Sequence, residues 1–470
     1  MAERRHLTVH NHIGGDDLPA ATGATMRLTD PVTGTTRRTA PLSGPTDTDA
    51  ACAAAASAYE RWSVTTPAER QTALLRIADA LEAHADELVA AETADTGKPS
   101  ELFRSDELPA IVDTVRFFAG AARNLPGAAA GEYTEGRTSL LRREAVGVCA
   151  QITPWNYPLM MAVWKVAPAI AAGNTSVLKP ADTTPSSSVL LARIAAEHLP
   201  PGVLNVVCGD RDTGRALVTH PAVRLIAVTG SVRAGREIAT AAAADLKRVH
   251  LELGGNAPVI VHDDADVESA AAQLAAVAYY NAGQDCTAPT RLLVHASLHD
   301  AFVDAFAAHA SALRPGVDFG PLNSAGRLAD VEGLLSRLPG RAKVPLGGTR
   351  IEGPGCFHAA TVVTGVRQDD EIVQEEIFGP VVTVQSFTDE QEALRLANDT
   401  RYGLAASVWT ADHDRAMRAT RALHTGIVWV NTHGTTVSEM PHGGVRHSGY
   451  GSDLSMAGLL DYTQVKHVML

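Results

Sequence analysis

Three segments of this 470-residue chain carry a thiol, a carboxylate and a side-chain amide in settings that suit chemistry on a carbonyl carbon. Cys286 stands in Asn281-Ala282-Gly283-Gln284-Asp285-Cys286-Thr287, after an alanine-rich stretch with helical periodicity. Most free cysteines are buried small hydrophobes. The run of glycine, glutamine and aspartate before this one is too polar for a core strand. A thiolate there could attack an aldehyde carbon and form a thiohemiacetal. Glu252 ends an apolar run in Leu251-Glu252-Leu253-Gly254-Gly255. A carboxylate in such a strand is costly unless paired or used. It reads either as an ion pair with Lys247 or Arg248, or as a general base that directs water onto a thioester. Asn156, in Pro154-Trp155-Asn156-Tyr157-Pro158, reads as a helix-start residue or as a donor to a developing oxyanion alongside the Cys286 backbone N–H. One such donor is worth about 3–4 kcal/mol in the transition state. Thiol and carboxylate fit a single scheme, in which the first makes an acyl-enzyme and the second releases it.

The elements that must position these groups follow from periodicity. From Ala145 to Gly255 short apolar runs alternate with helices. Strands are expected at 146–153, 176–179, 203–208, 225–228 and 248–253, with helices at 158–172, 186–198, 213–220 and 233–243 between them. This is the signature of a parallel sheet wrapped by helices, whose ligands bind at the carboxyl ends of the strands. Asn156, Lys179, Gly209, Ser231 and Glu252 all fall there. Lys179 and Asp182 could hold ribose hydroxyls, and the Asp182 carboxylate would repel a 2′-phosphate and favour NAD over NADP. Arg211 and Arg233 are the residues that would admit NADP. The loops Gly209–Gly214 and Gly230–Gly235 each join a strand to a helix and offer backbone N–H groups to a pyrophosphate. A second α/β unit follows, with strands at 257–261, 291–294, 381–384, 405–409 and 426–430 and helices at 267–281, 298–313, 389–397 and 415–423. Ahead of both, helices are expected at 51–62, 67–94 and 102–124, the last kinked or restarted at Pro109. Segments 131–143 and 464–470 read as outlying strands.

Composition narrows the class. A net charge of −13 argues against nucleic acid as the main partner. Five scattered cysteines without a CxxC pair suggest the reducing cytoplasm rather than a disulfide framework. The start Met1–His6 leads into a polar stretch without the apolar core of a secretory signal, and no run of about 18 apolar residues suggests a membrane span. No metal site is expected.

Together these segments resemble the aldehyde dehydrogenase superfamily over nearly the whole chain. Pro154–Pro158, Leu251–Gly255, Gly283–Cys286, Glu376-Ile377-Phe378-Gly379-Pro380 and Ser448-Gly449-Tyr450-Gly451 occur in that family's order. The resemblance implies Cys286 as nucleophile, Glu252 as base and Asn156 as oxyanion donor. It implies a cofactor site of Ile152, Thr153, Pro154, Trp155, Lys179, Asp182, Gly209, Gly214, Thr229, Gly230, Ser231, Leu253, Glu376 and Phe378. It also implies a Rossmann-like NAD-binding domain at 1–124 and 145–251, a catalytic domain at 252–430, an oligomerisation arm at 125–144 and 450–470, a substrate loop at 431–449, and a homotetramer. Asp453 matches the family's second acidic residue near the water path.

A closer likeness is to γ-aminobutyraldehyde dehydrogenases, through Phe117–Arg123, Tyr279–Ala288 and Val437–Gly444. It implies an ω-aminoaldehyde such as 4-aminobutanal as substrate and putrescine-type catabolism as setting. A cationic aldehyde wants carboxylates and aromatic faces. Asp106, Glu107, Asp113 and Asp285 are the candidate acids; Tyr157, Trp164, Thr287 and His442 are the candidate walls. Asp182 replaces a more usual Glu, the connection 313–322 is short, and Gly434-Thr435-Thr436 replaces bulkier residues, which would widen the tunnel. Betaine aldehyde or a broader aliphatic range is the alternative substrate class. An acyl-transferring enzyme would not need the hydrolytic base Glu252, and a non-catalytic scaffold would not need all three groups.

Overall fold

The computed structural model describes residues 9–127 and 130–470; the start Met1–His6 lies outside them. Two sheets dominate the architecture. The first has eight strands in the order Gly449–Tyr450, Arg248–Leu253, Val223–Gly230, Val148–Ile152, Thr175–Lys179, Leu204–Val206, Asn11–Ile13 and Asp16–Leu18. Its middle five strands are parallel, and each outer strand pairs antiparallel with its inner neighbour. From Val148–Ile152 the chain progresses outward one way through Thr175–Lys179, and the other way through Val223–Gly230. The strand order therefore reverses between Val148–Ile152 and Val223–Gly230, and a crevice opens at their carboxyl ends. The second sheet has seven strands in the order Lys343–Leu346, Thr361–Thr364, Val381–Phe387, Pro289–His295, Ala257–Val261, Ala405–Trp409 and Ile427–Val430. All but the Lys343–Leu346 edge are parallel.

Helices cover both faces of each sheet. Leu178, Leu204 and Leu225 join the helical residues Ile77, Ile111, Phe118 and Ile170 in one core, while Val177, Ile226 and Leu251 face Ala51, Ala55 and Leu217 on the other side. The second sheet divides likewise, with Val259, Leu292 and Val384 against Leu274, Phe302 and Phe306, and Ile260 and Leu293 against Leu396 and Leu423. The near-continuous apolar strands are what burial on both faces demands. Among the described residues no helix is long and apolar enough to cross a membrane.

Several element boundaries differ from the periodicity reading. The helix expected over 67–94 is two, Pro67–Ala83 and Ala85–Thr96. His84 ends the first, its backbone N–H donating to the Ala80 carbonyl and its ring Nδ1 lying 2.8 Å from the same oxygen. Asp86 and Glu87 then favour a fresh N-terminus. The helix expected over 102–124 contains a π-turn, Phe103–Glu107, before Leu108–Ala121 and a final 3₁₀ turn. Pro109 has no N–H to give the preceding turn, and the wider turn accommodates its ring. The strand expected over 203–208 is only Leu204–Val206. The helix Ala325–Ser336 and strand Thr361–Thr364 were not evident from periodicity. The outlying segments form a separate three-stranded antiparallel sheet, Thr463–Met469 beside Arg137–Ala145 beside Gly131–Thr134.

Candidate active site

The crevice deepens into a cavity of about 770 Å³ between the two sheets. Cys286, Glu252 and Asn156 all line it, although 130 residues of sequence separate the first and last. Each arrives from a different kind of element. Glu252 is the penultimate residue of its strand and pairs in register with Thr229. Asn156 sits in the loop between Val148–Ile152 and the helix Pro158–Ala171. Cys286 lies past the helix Val267–Tyr279, beyond a 3₁₀ turn containing Asn281, Ala282 and Gly283 at φ of 51°, 56° and 67°.

That left-handed turn is costly for Ala282 and is held from outside. A Cβ at Gly283 would collide with the Gly379 carbonyl, so only glycine fits. The Asn281 amide donates to the Asn156 carbonyl at 2.9 Å, and the Asn156 amide donates to the Gln284 carbonyl at 3.1 Å. Gln284 donates to the carbonyls of Asn281 and Pro321 and accepts from the Asn323 N–H. The Cys286 loop and the Asn156 loop are thus cross-bonded, which fixes their relative position. Such preorganisation is what an oxyanion site requires.

Burial pushes the Cys286 thiol well above the ordinary cysteine range, and the negative charges of Asp285, Glu252 and Glu376 add to the effect. Glu252 is buried, which raises its pKa, while His442 opposes that rise. His442 Nδ1 lies 3.0 Å from Glu252 Oε2, and Oε1 has no hydrogen-bond partner among the described residues. Behind this pair, Asp453 accepts from Lys165 at 2.8 Å and lies 3.3 Å from His250, which also faces Asp461 at 3.2 Å. Asp453 is held below the usual carboxylate range by these cations, and His250 is raised to about 9 by the Asp453 and Asp461 carboxylates against the opposing effect of burial.

The expected substrate residues divide by position. Tyr157, Trp164, Asp285, Thr287, Glu107 and His442 border the cavity. The Asp285 carboxylate is fixed by the Tyr157 hydroxyl at 2.8 Å and by the Thr287 N–H and hydroxyl, both at 2.7 Å. Glu107 is spoken for by Lys98, whose Nζ donates to it at 2.5 Å and lies 4.2 Å from the Tyr157 ring centre. Asp113 is not among the cavity-lining residues, and it accepts from Ser438 on the 431–449 loop at 2.7 Å. Asp106, Tyr280, Met160, Met161, Thr435 and Thr436 complete the wall on this side. His433, also lining, is held neutral by burial, which pulls it down to about 4; its ring nitrogens meet the Thr287 carbonyl and Ser407.

The expected cofactor residues follow the crevice. Pro154, Trp155, Thr229, Gly230, Ser231, Leu253, Glu376 and Phe378 line its other end. Trp155 and Phe378 meet edge-to-face with ring centres 5.3 Å apart, and Phe378 takes a left-handed φ of 51°. Glu376 accepts the Gly255 N–H at 2.9 Å; burial raises its carboxyl to about 7. A side chain at Gly254 would collide with Glu376. Ser231 caps the helix Val232–Ala243 by accepting the Ala234 N–H. Farther along the same sheet edge lie Ile152, Lys179, Asp182, Gly209 and Gly214, outside the cavity proper. A Cβ at Gly214 would make ordinary contact with the Lys179 methylenes, 3.4 and 3.5 Å away. Of the two arginines that would admit a 2′-phosphate, Arg211 is paired with Glu237, whereas Arg233 borders the cavity. The buried hydroxyls of Thr153 and Thr229 lack hydrogen-bond partners among the described residues. Orphaned buried hydroxyls at the carboxyl ends of parallel strands, beside a helix N-terminus, fit a dinucleotide. Among the described residues no cluster could hold a metal ion.

Lys98, Lys165 and His250 were missed by sequence reasoning. A lone Lys or His in an ordinary run gives no sign of burial. The one available hint was Lys165 inside the otherwise apolar helix Pro158–Ala171.

Comparison with known proteins shows the family and the fold. The family model described as the aldehyde dehydrogenase family matches residues 19–468. A betaine aldehyde dehydrogenase from Staphylococcus aureus, solved as a point mutant with NAD+, is 35% identical, with a TM-score of 0.96 over 99% of this chain and 98% of that one. The same enzyme solved with NAD+ and an unmodified cysteine is also 35% identical, with a TM-score of 0.96 over 99% of this chain and 95% of that one. A protein from Burkholderia cenocepacia provisionally named an aldehyde dehydrogenase is 37% identical, with a TM-score of 0.97 over 99% of this chain and 98% of that one.

Proposed function

From the premise that this chain belongs to the aldehyde dehydrogenase family, we propose that it oxidises a cationic ω-aminoaldehyde, of the 4-aminobutanal type, to the amino acid with NAD. The Cys286 thiol gives up its proton to solvent in the cavity, and its sulfur bonds to the aldehyde carbon as the carbonyl pair moves to oxygen, forming a thiohemiacetal oxyanion. The Asn156 amide and the Cys286 backbone N–H donate to the oxyanion. NAD+, when bound, would supply the hydride acceptor, and loss of that hydride from the thiohemiacetal carbon would leave a thioester on Cys286. Residues from Trp155, Thr229–Ser231, Glu376 and Phe378 to Lys179 and Asp182 would hold the cofactor. Glu252 then takes a proton from water, the water oxygen bonds to the acyl carbon, and the carbon–sulfur bond breaks to return the thiolate and release the acid.

The observation that carries the aminoaldehyde reading is Asp285, a carboxylate at the cavity wall beside the nucleophile and immobilised by three hydrogen bonds. Those bonds use two of its oxygens but leave acceptor capacity. With Asp106 and the rings of Tyr157, Tyr280 and Trp164 it makes a cavity suited to a cation. A quaternary-ammonium aldehyde is the second reading, favoured by the likeness to the S. aureus betaine aldehyde dehydrogenase. The Asp182 carboxylate at the ribose end, and the engagement of Arg211 with Glu237, favour NAD over NADP.

The test is NADH formation across a panel of amino, trimethylammonio, carboxylate and plain alkyl aldehydes. The expected order of kcat/KM puts the amino series first. Preference for the carboxylate series would overturn a cationic substrate, and no NADH with any aldehyde would overturn the activity itself.

A further inference from the structure

The base Glu252 has a dedicated partner that its role as a base does not require. His442 comes from the loop that closes the cavity, 190 residues away, and puts Nδ1 3.0 Å from Glu252 Oε2. Both side chains are buried. The imidazole is itself fixed from two sides. Its ring packs on Trp164 with centres 5.0 Å apart. Its backbone forms a two-way bridge with Asp453, the N–H of each donating to the carbonyl of the other at 2.9 and 2.8 Å. Asp453 is anchored in turn by Lys165. The opposite oxygen of Glu252, Oε1, is buried and has no hydrogen-bond partner among the described residues.

We propose that His442 is a positioning residue for Glu252. Its imidazole secures Oε2 and leaves Oε1 as the atom that takes the proton from water. The inference rests on Glu252 acting as the deacylation base. A carboxylate with both oxygens free would rotate about its last bond and would bond water in several geometries. Tethered at one oxygen, it offers a single acceptor to the cavity. When the hydrolytic water attacks, its proton moves to Oε1, its oxygen bonds to the acyl carbon, and the carbon–sulfur bond breaks.

The pairing also has an electrostatic side. Facing Glu252 are His442 from the loop, His250 on its own strand, Asp453 beyond them, and the Cys286 thiol across the cavity. Burial and Asp453 favour the protonated carboxyl, whereas the two histidines favour the carboxylate. Removing the His442 ring nitrogens while keeping a ring against Trp164 should therefore raise the proton affinity of Glu252.

The experiment compares wild type with H442F and H442Q in the full-length protein. In H442F the NADH burst, which precedes the base's step, should persist and count the correctly folded sites. Steady-state kcat should fall on the order of 10²-fold, and its rising limb should move to higher pH. H442Q keeps a side-chain donor and should recover part of both. A readout independent of turnover is the infrared titration of the protonated carboxyl band that disappears in E252Q. Its midpoint should lie higher in H442F than in wild type. An unshifted midpoint, or an unchanged kcat limb beside an intact burst, would overturn the proposal. Absence of NADH from wild type would instead count against the activity, and the infrared comparison would still decide the pairing. Should H442F fail to fold, H442Q carries the same comparison through a smaller shift in the same direction.

Discussion

At the scale of single residues, the surroundings of Cys286 oppose the form in which the proposed mechanism uses it. The proposed attack needs a Cys286 thiolate, yet burial and the nearby carboxyl groups of Asp285, Glu252 and Glu376 push the thiol well above its ordinary range. Asp285 is the closest of these in sequence. Replacing it with asparagine removes a like charge, so the thiol should ionise at lower pH. The pH profile of Cys286 alkylation by iodoacetamide should shift acidward in D285N, and kcat/KM for aminoaldehydes should fall roughly tenfold against alkyl aldehydes. An unmoved alkylation profile would remove Asp285 from this electrostatic role. For Glu252, E252Q should still give one burst of NADH, because hydride leaves before the base is needed. Steady turnover should drop about 10²–10⁴-fold, as stopped-flow absorbance would show.

At the scale of elements, irregular turns rather than the strands and helices themselves set the distances. The left-handed turn Asn281–Gly283 leads into Cys286, the proposed nucleophile, and Gly283 has a carbonyl where a side chain would be. G283A should cost about 1–3 kcal/mol of backbone strain in addition to the clash, lowering Tm and reducing the burst amplitude together. A normal burst at full stability would mean that the loop can reach its position by another route. The π-turn ahead of Pro109 has a comparable role: it delivers Glu107 to Lys98. K98M leaves that buried carboxyl without its cation, a loss of about 3–5 kcal/mol. Burial already raises Glu107 above its unfolded value. In the variant the folded state should hold its proton to higher pH, so stability should decline as pH rises from the unfolded pKa upward. Urea unfolding at pH 5 and pH 8 measures the difference, and equal losses at both would show that Glu107 has found another partner.

At the scale of the whole molecule, the two sheets enclose the site and the third sheet stands apart from both. Its strands present Tyr133, Leu141, Val465 and Met469 to solvent. Exposed apolar strands with free edges are a template for another chain. We expect a homo-oligomer, with a tetramer the anticipated size, joined through this sheet. Sedimentation velocity should show the oligomer for wild type and smaller species for V465D/M469D. A wild-type monomer would leave those side chains without a partner.

The sequence by itself determined the class of chemistry and the class of fold. Cys286, Glu252 and Asn156 stood out as candidates because each breaks its local pattern: a thiol after polar residues, an acid ending an apolar strand, and an amide between prolines. The parallel sheets were legible because burial on both faces leaves long apolar runs at regular intervals. Tertiary structure alone decided what each acid meets. Asp106, Glu107, Asp113 and Asp285 look alike as letters, but Glu107 is paired with Lys98, Asp113 is held by Ser438 outside the cavity lining, and Asp285 is held at the cavity wall. It also decided that His442 meets Glu252. Such pairings join residues up to 325 positions apart, and charge pairing depends on distance and burial, neither of which a local pattern carries.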